Sequence, residues 1–136
     1  MTKEEIHQAF IETNFIVFIS KEKSTILKVN QTAEDLELLF PELESWCFIT
    51  AFNPLPDILE LEENQKRNKQ LEHDIQNLGF EYLNGKGVSA DDNWSEESFL
   101  IKDINIETTN QLAIKYGQLA FLFGKKRRAA ALFYTK

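Results

Sequence analysis

An apolar run near the middle of the chain is followed by the chain's longest polar stretch. Residues 46–51, WCFITA, carry a single polar side chain, Thr50, and lead to Asn53-Pro54, where proline cannot continue a strand. The run reads as a strand buried on both faces that ends in a polar turn. Over residues 59–78, Leu61, Asn64, Asn68, Leu71, Ile75 and Leu78 recur at alternating spacings of three and four, so they share one face of a long helix. Two of these seam positions are asparagines. An unpaired buried amide costs roughly 1–3 kcal/mol, so they need partners or an opening.

The remaining elements follow from the same periodicities. Thr2 with Glu5 makes a capping box for a short helix whose apolar face is Ile6, Ala9 and Phe10. Residues 15–19 and 25–29 read as a hairpin, and Thr32 as the cap of a helix over residues 33–40 that Pro41 ends. After the long helix, Gly79 is placed to close it, residues 80–83 read as a short strand, and Asn84, Gly85, Lys86 and Gly87 as a turn into a long loop. Residues 94–101 alternate as a strand, and Asn105 caps a helix over residues 106–116 with Gly117 at its end. A hairpin of residues 119–123 and 129–134 closes the chain. The order α-β-β-α-β-α-β-β-α-β-β mixes crossovers with hairpins. It predicts an α+β fold in one domain, residues 1–136, with a mixed sheet of about six or seven strands flanked by about four helices.

Composition narrows the partners. The net charge is −7, and between Lys28 and Lys66 nine acidic residues stand with no basic one, so duplex nucleic acid and anionic membranes are disfavoured. A single cysteine, Cys47, excludes a disulfide framework, and its apolar neighbours do not suit a nucleophile, so a reducing cytoplasm is expected. The N-terminus is too polar for a signal peptide, and no apolar run approaches the ~20 residues of a membrane span. His7 and His73 fall in different helices without the spacing of a metal site, and no motif indicates a cofactor.

With a short connection, the end of the central strand and the start of the long helix meet. Thr50, Asn53, Asn64, Arg67 and Asn68 then converge, a candidate pocket at the carboxyl end of a strand. The alternative is a capping network in which the amides lock a turn. Glu96 and Glu97 sit one on each face of their strand. Whichever is desolvated suits acid/base work, unless it only pairs with Arg67 or Lys86. The four basic residues 125–128 are solvated charges at a hairpin tip or a local phosphate site.

The segments FITAFNP, ENQKRNKQL, the glycine turn, WSEESFL and YGQLAFLFG together resemble a small bacterial family, the domain of unknown function numbered 3293. The matching positions are Thr50, Ala51, Asn53, Pro54, Asn64, Arg67, Asn68, Leu71, Gly85, Gly87, Trp94, Glu96, Glu97, Gly117, Gln118 and Ala120, with Phe52 standing where the family pattern has tryptophan. The resemblance implies which positions matter and supplies no chemistry.

Two functional expectations follow. In the first, a polar small ligand, nucleotide-like or another anionic metabolite, is stacked by Trp94, met by Arg67 and read by Thr50, Asn53, Asn64, Asn68 and Gln118, with Glu96 or Glu97 as general acid/base. In the second, the chain is an acidic interaction module, of the antitoxin or immunity kind, that meets a basic protein partner without catalysis.

Overall fold

A computed structural model of the chain describes residues 2–54 and 57–135. Its elements are α1 (Lys3–Glu12), β1 (Asn14–Phe18), β2 (Ser24–Leu27), α2 (Glu34–Leu39), β3 (Ser45–Ile49), α3 (Leu61–Asn77), β4 (Tyr82–Val88), β5 (Ser95–Lys102), α4 (Ile106–Lys115), β6 (Ala120–Lys125) and β7 (Ala131–Tyr134). Order and counts follow the expected α+β pattern. The seven strands lie in the order β2-β1-β4-β5-β3-β6-β7, and every neighbouring pair is antiparallel rather than mixed. The connections through α3 and α4 each skip one strand, so that β5 lies between β3 and β4 and β3 lies between β5 and β6, and no two parallel strands are neighbours.

The sheet curls far enough for its two ends to be tied. Beyond β2, the Asn30 amide donates to the Ala130 carbonyl and the Ala130 amide to that of Gln31, with a bridge between Thr32 and Ala129. This corrects the expected helix cap at Thr32: α2 has no side-chain cap, because the residues before it serve the sheet closure. Inside the curl, Phe15, Val17, Leu27, Leu36, Trp46, Phe48, Leu100 and Leu122 form one core, flanked by Phe10 and Ile11 of α1. On the outer face, α3 and α4 pack over Cys47, Ile49, Phe99, Ile101, Phe121 and Phe123, with Leu71, Ile75, Leu112 and Ala113 as their contribution. Alternation along β3 divides it between the two cores, which is why its sequence is apolar on both faces. Among the described residues, no helix is long and apolar enough to cross a membrane.

The expected turn at residues 84–87 is strand instead. All four residues pair within β4, with Gly85 opposite both Val17 and Ser98. The glycine is needed for space and not for a turn: a Cβ there would lie 2.6 Å from the Ile16 carbonyl oxygen and 2.7 Å from the Phe48 ring. At Gly87 the nearest atom would be 3.9 Å away. Gly85→Ala should therefore destabilise by about 1–3 kcal/mol through overpacking. Gly87→Ala should be neutral or gain up to about 1 kcal/mol of strand preference. Urea denaturation of both variants checks the pair, and equal effects would contradict the packing assignment.

Candidate functional site

β3 stops at Ile49, two residues before the apolar run does, yet Ala51, Phe52 and Asn53 remain buried. Buried peptide groups that have left the sheet need other partners, and here side chains supply them. The Ala51 amide donates to Asn68 Oδ1 at 2.8 Å, and the Ala51 carbonyl accepts from Arg67 Nε at 2.8 Å. The Phe52 amide donates to Thr50 Oγ1 at 3.1 Å, and its carbonyl accepts from Gln118 Nε2 at 2.9 Å. The Asn53 amide donates to Asn64 Oδ1 at 2.8 Å. Five backbone groups are thus met by five side chains, from Thr50, from α3 and from Gln118 two residues before β6.

The second arms of those side chains fasten neighbouring segments. Asn68 Nδ2 and Thr50 Oγ1 both donate to the Glu97 carbonyl, at 3.0 and 2.6 Å, which ties the loop to β5. Asn64 Nδ2 donates to Asn53 Oδ1 at 2.8 Å, and that same oxygen accepts the Leu59 amide at 2.8 Å. Asn53 itself adopts φ +46°, a left-handed conformation that asparagine tolerates better than most residues. Arg67 sends its remaining arm to the Tyr116 carbonyl, and its guanidinium lies 5.8 Å from the centre of the Tyr116 ring.

The structure therefore brings the predicted residues into one cluster, but it turns most of them onto the protein's own backbone. Arg67 and the two seam asparagines direct their hydrogen bonds to backbone carbonyls and amides and to the Asn53 side chain. No buried side-chain nitrogen or oxygen among the described residues lacks a partner. Of the seam's apolar ends, Leu61 and Leu78 are exposed, so the buried face of α3 is Asn64, Asn68, Leu71 and Ile75.

The register of β5 separates the two glutamates. Glu97 stands opposite Lys86 with an exposed side chain, while Glu96 stands opposite Gly87 and turns inward, its Oε2 accepting from Asn53 Nδ2 at 3.1 Å. Burial pushes the Glu96 carboxyl above the usual glutamate range, against hydrogen bonds from the Asn53 and Trp94 side chains that pull it down. Trp94, immediately before β5, is 45% exposed. Cys47 is fully buried, its thiol pushed up to about 12 by burial, which removes it as a nucleophile.

Beside the cluster, between α3 and the outer face of β4 and β5, lies an open cleft of about 610 Å³. Asn68 and Glu97 are the predicted residues that line it, joined by Gln65, Lys69, Glu72 and Asn84. Gln65, Lys69 and Glu72 follow one another at spacings of four and three, a stripe next to the asparagine seam that the sequence displays. Asn84 was hidden by the turn reading of β4. Among the described residues, no group of three or more His, Cys, Asp or Glu is placed to hold a metal ion.

A model of the family described as "Protein of unknown function (DUF3293)" matches residues 49–121, more than half of the chain. That span begins where β3 ends and includes Thr50, Asn53, all of α3, both glutamates and Gln118. Neither a curated protein nor a solved structure matches the chain.

A glutamate raised in the folded state contributes stability that is fully present below its unfolded pKa and is lost as pH rises through the folded value. The stability of the wild type relative to Glu96→Gln, which keeps an acceptor for Asn53, should therefore fall as pH is raised from below the ordinary glutamate range to neutral. Denaturant titrations of the two proteins across that range measure it. A difference independent of pH would mean that Glu96 is not desolvated.

Proposed function

The chain belongs to the family described as Protein of unknown function (DUF3293), and from that membership and the geometry of the matched span we propose that it binds a polar small molecule in the cleft beside α3. The supporting observation is the cleft itself, whose volume of about 610 Å³ lies within the range of small-molecule sites. Around it, Gln65 and Asn84 offer groups that donate and accept, and Phe18 and Phe99 offer apolar surface. The charges decide the ligand class. Glu72 and Glu97 supply two carboxylates against one cation, Lys69. This balance favours a ligand rich in hydroxyl or amino donors, such as a nucleoside, over a phosphate-bearing nucleotide.

In this reading Glu97 meets the ligand and exchanges a proton with it, while Asn68 holds the Glu97 backbone at the wall of the cleft. Thr50, Asn53, Asn64, Arg67 and Gln118 are positioning residues that hold the wall of the cleft through the backbone of residues 51–53. Trp94 and Glu96 extend the site at the end of β5, where the raised Glu96 carboxyl is suited to donate a proton. The reduced, unpaired Cys47 fits a cytoplasmic setting.

A second reading rests on a different observation. Ile58 and Leu61 are 74% and 61% exposed, and Asp57, Glu60, Glu62 and Glu63 surround them in sequence, a combination that suits a basic protein partner. Association at low salt that is lost when Glu60, Glu62 and Glu63 become Gln is the outcome that reading requires.

A thermal-shift screen of nucleosides, sugars, amino acids and nucleotides against wild type and Asn84→Ala tests the cleft. A ligand at a hundred times its dissociation constant stabilises by about 2.7 kcal/mol, several degrees in a domain of this size. The expected result is a shift by one uncharged or amine-bearing class that Asn84→Ala reduces. A shift confined to nucleotides, one equal in the two proteins, or none in any class would count against the proposal.

A further inference from the structure

The basic turn between β6 and β7 has no part in the cleft beside α3, and its four cations are not equivalent. Lys126 donates from Nζ to the Pro41 carbonyl at 2.6 Å and lies 3.9 Å from Glu44. At Arg127 the backbone amide donates to both carboxylate oxygens of Glu37, at 3.0 Å each, and φ is +61°. Lys125 and Arg128 make no ion pair among the described residues. They instead line a second cleft, of about 560 Å³, between α4 and β6–β7.

Strand geometry explains why that cleft joins cations to an apolar floor. Alternation puts Phe121, Phe123 and Lys125 on one face of β6, and the pairing of Phe121 with Phe133 and of Phe123 with Ala131 puts Phe133 on the same side. Phe123 is buried at the base, Phe133 is 36% exposed, and half-buried Ile106 of α4 forms the facing wall. Glu107 is the one carboxylate among the lining residues. Two unpaired cations are thus held beside apolar surface, in a chain whose overall charge is −7.

We propose that this second cleft binds a small amphipathic anion, with an aromatic or acyl body against Phe123, Phe133 and Ile106 and a phosphate or carboxylate between Lys125 and Arg128. Charge complementarity and the apolar floor fix the class together. A neutral apolar ligand would bring apolar surface against two cations without pairing them. An inorganic anion would leave the exposed Phe133 ring and Ile106 uncovered. Arginine and lysine flanking one anion is a recurrent recognition geometry because the fork and the point charge both donate to it. The site is independent of the cleft beside α3 and shares no lining residue with it.

Isothermal titration calorimetry of the full chain with 1-naphthyl phosphate tests the assignment, with inorganic phosphate and 1-naphthol as separate titrants. The expected result is saturable binding of one 1-naphthyl phosphate per chain, about tenfold or more tighter than either titrant that carries only the anion or only the ring. Lys125→Gln with Arg128→Gln should weaken it about tenfold or more, and so should Phe133→Ser. Asn84→Ala, in the other cleft, should leave it unchanged. All four positions are exposed, and an unaltered circular dichroism melt verifies each fold. Absence of binding, phosphate binding as tightly as the aryl phosphate, or an affinity unmoved by the double charge substitution would each overturn the proposal. Loss of binding in Asn84→Ala would assign the anion to the first cleft and overturn it as well.

Discussion

A strand that must stop inside a protein leaves peptide groups that neither the sheet nor water can satisfy. At residues 51–53 this fold meets that demand with side chains, since Asn68, Arg67, Thr50, Gln118 and Asn64 take the five backbone groups that β3 would have shared with its neighbours. Each such bond is worth about 1 kcal/mol net, but leaving one of these buried groups unpaired costs about 1–3 kcal/mol. The asparagines in the α3 seam are therefore part of the tertiary structure in the same sense as a leucine would be, with direction added. They fix where α3 sits along β3 and β5, which apolar contact alone does not specify.

That placement determines where the surface is concave. α3 and α4 cover β5, β3 and β6 on the outside of the curled sheet, and the strands on either side extend beyond them. The two clefts are the consequence, one along α3 over β4 and β5, the other along α4 over β6 and β7. Their chemistry differs because their charges differ, with two carboxylates and one lysine in the first and two cations and one carboxylate in the second. A net charge of −7 describes neither.

Much of this was legible in the sequence where periodicity and burial agree. The apolar β3, the capping box at Thr2, the α3 seam and the convergence of Asn53, Asn64, Arg67 and Asn68 follow from spacing. Strand direction did not, because antiparallel and parallel neighbours of a doubly buried strand have the same apolar pattern. Asn84, Gly85, Lys86 and Gly87 carry a turn composition, yet Gly85 answers a steric demand from Phe48 and Ile16, which belong to other strands. Thr32 looks like a cap and serves sheet closure instead, a contact with Ala129 far along the chain. The choice between Glu96 and Glu97 depended on register, which a single-residue slip would reverse. The division of labour among residues 125–128 was hidden for a related reason: it depends on which face of β6 each residue meets.

Hydrogen exchange at the Ala51 and Asn53 amides tests the central claim most directly. Both lie beyond the last residue of β3, and both donate to asparagine side chains on α3. If those side chains replace the ladder, the two amides should exchange within about tenfold of the Phe48 amide in the β3 core, opening only when the domain unfolds. Exchange at the rate of the exposed residues 20–23 would show that the network opens by local fraying, and would contradict the account.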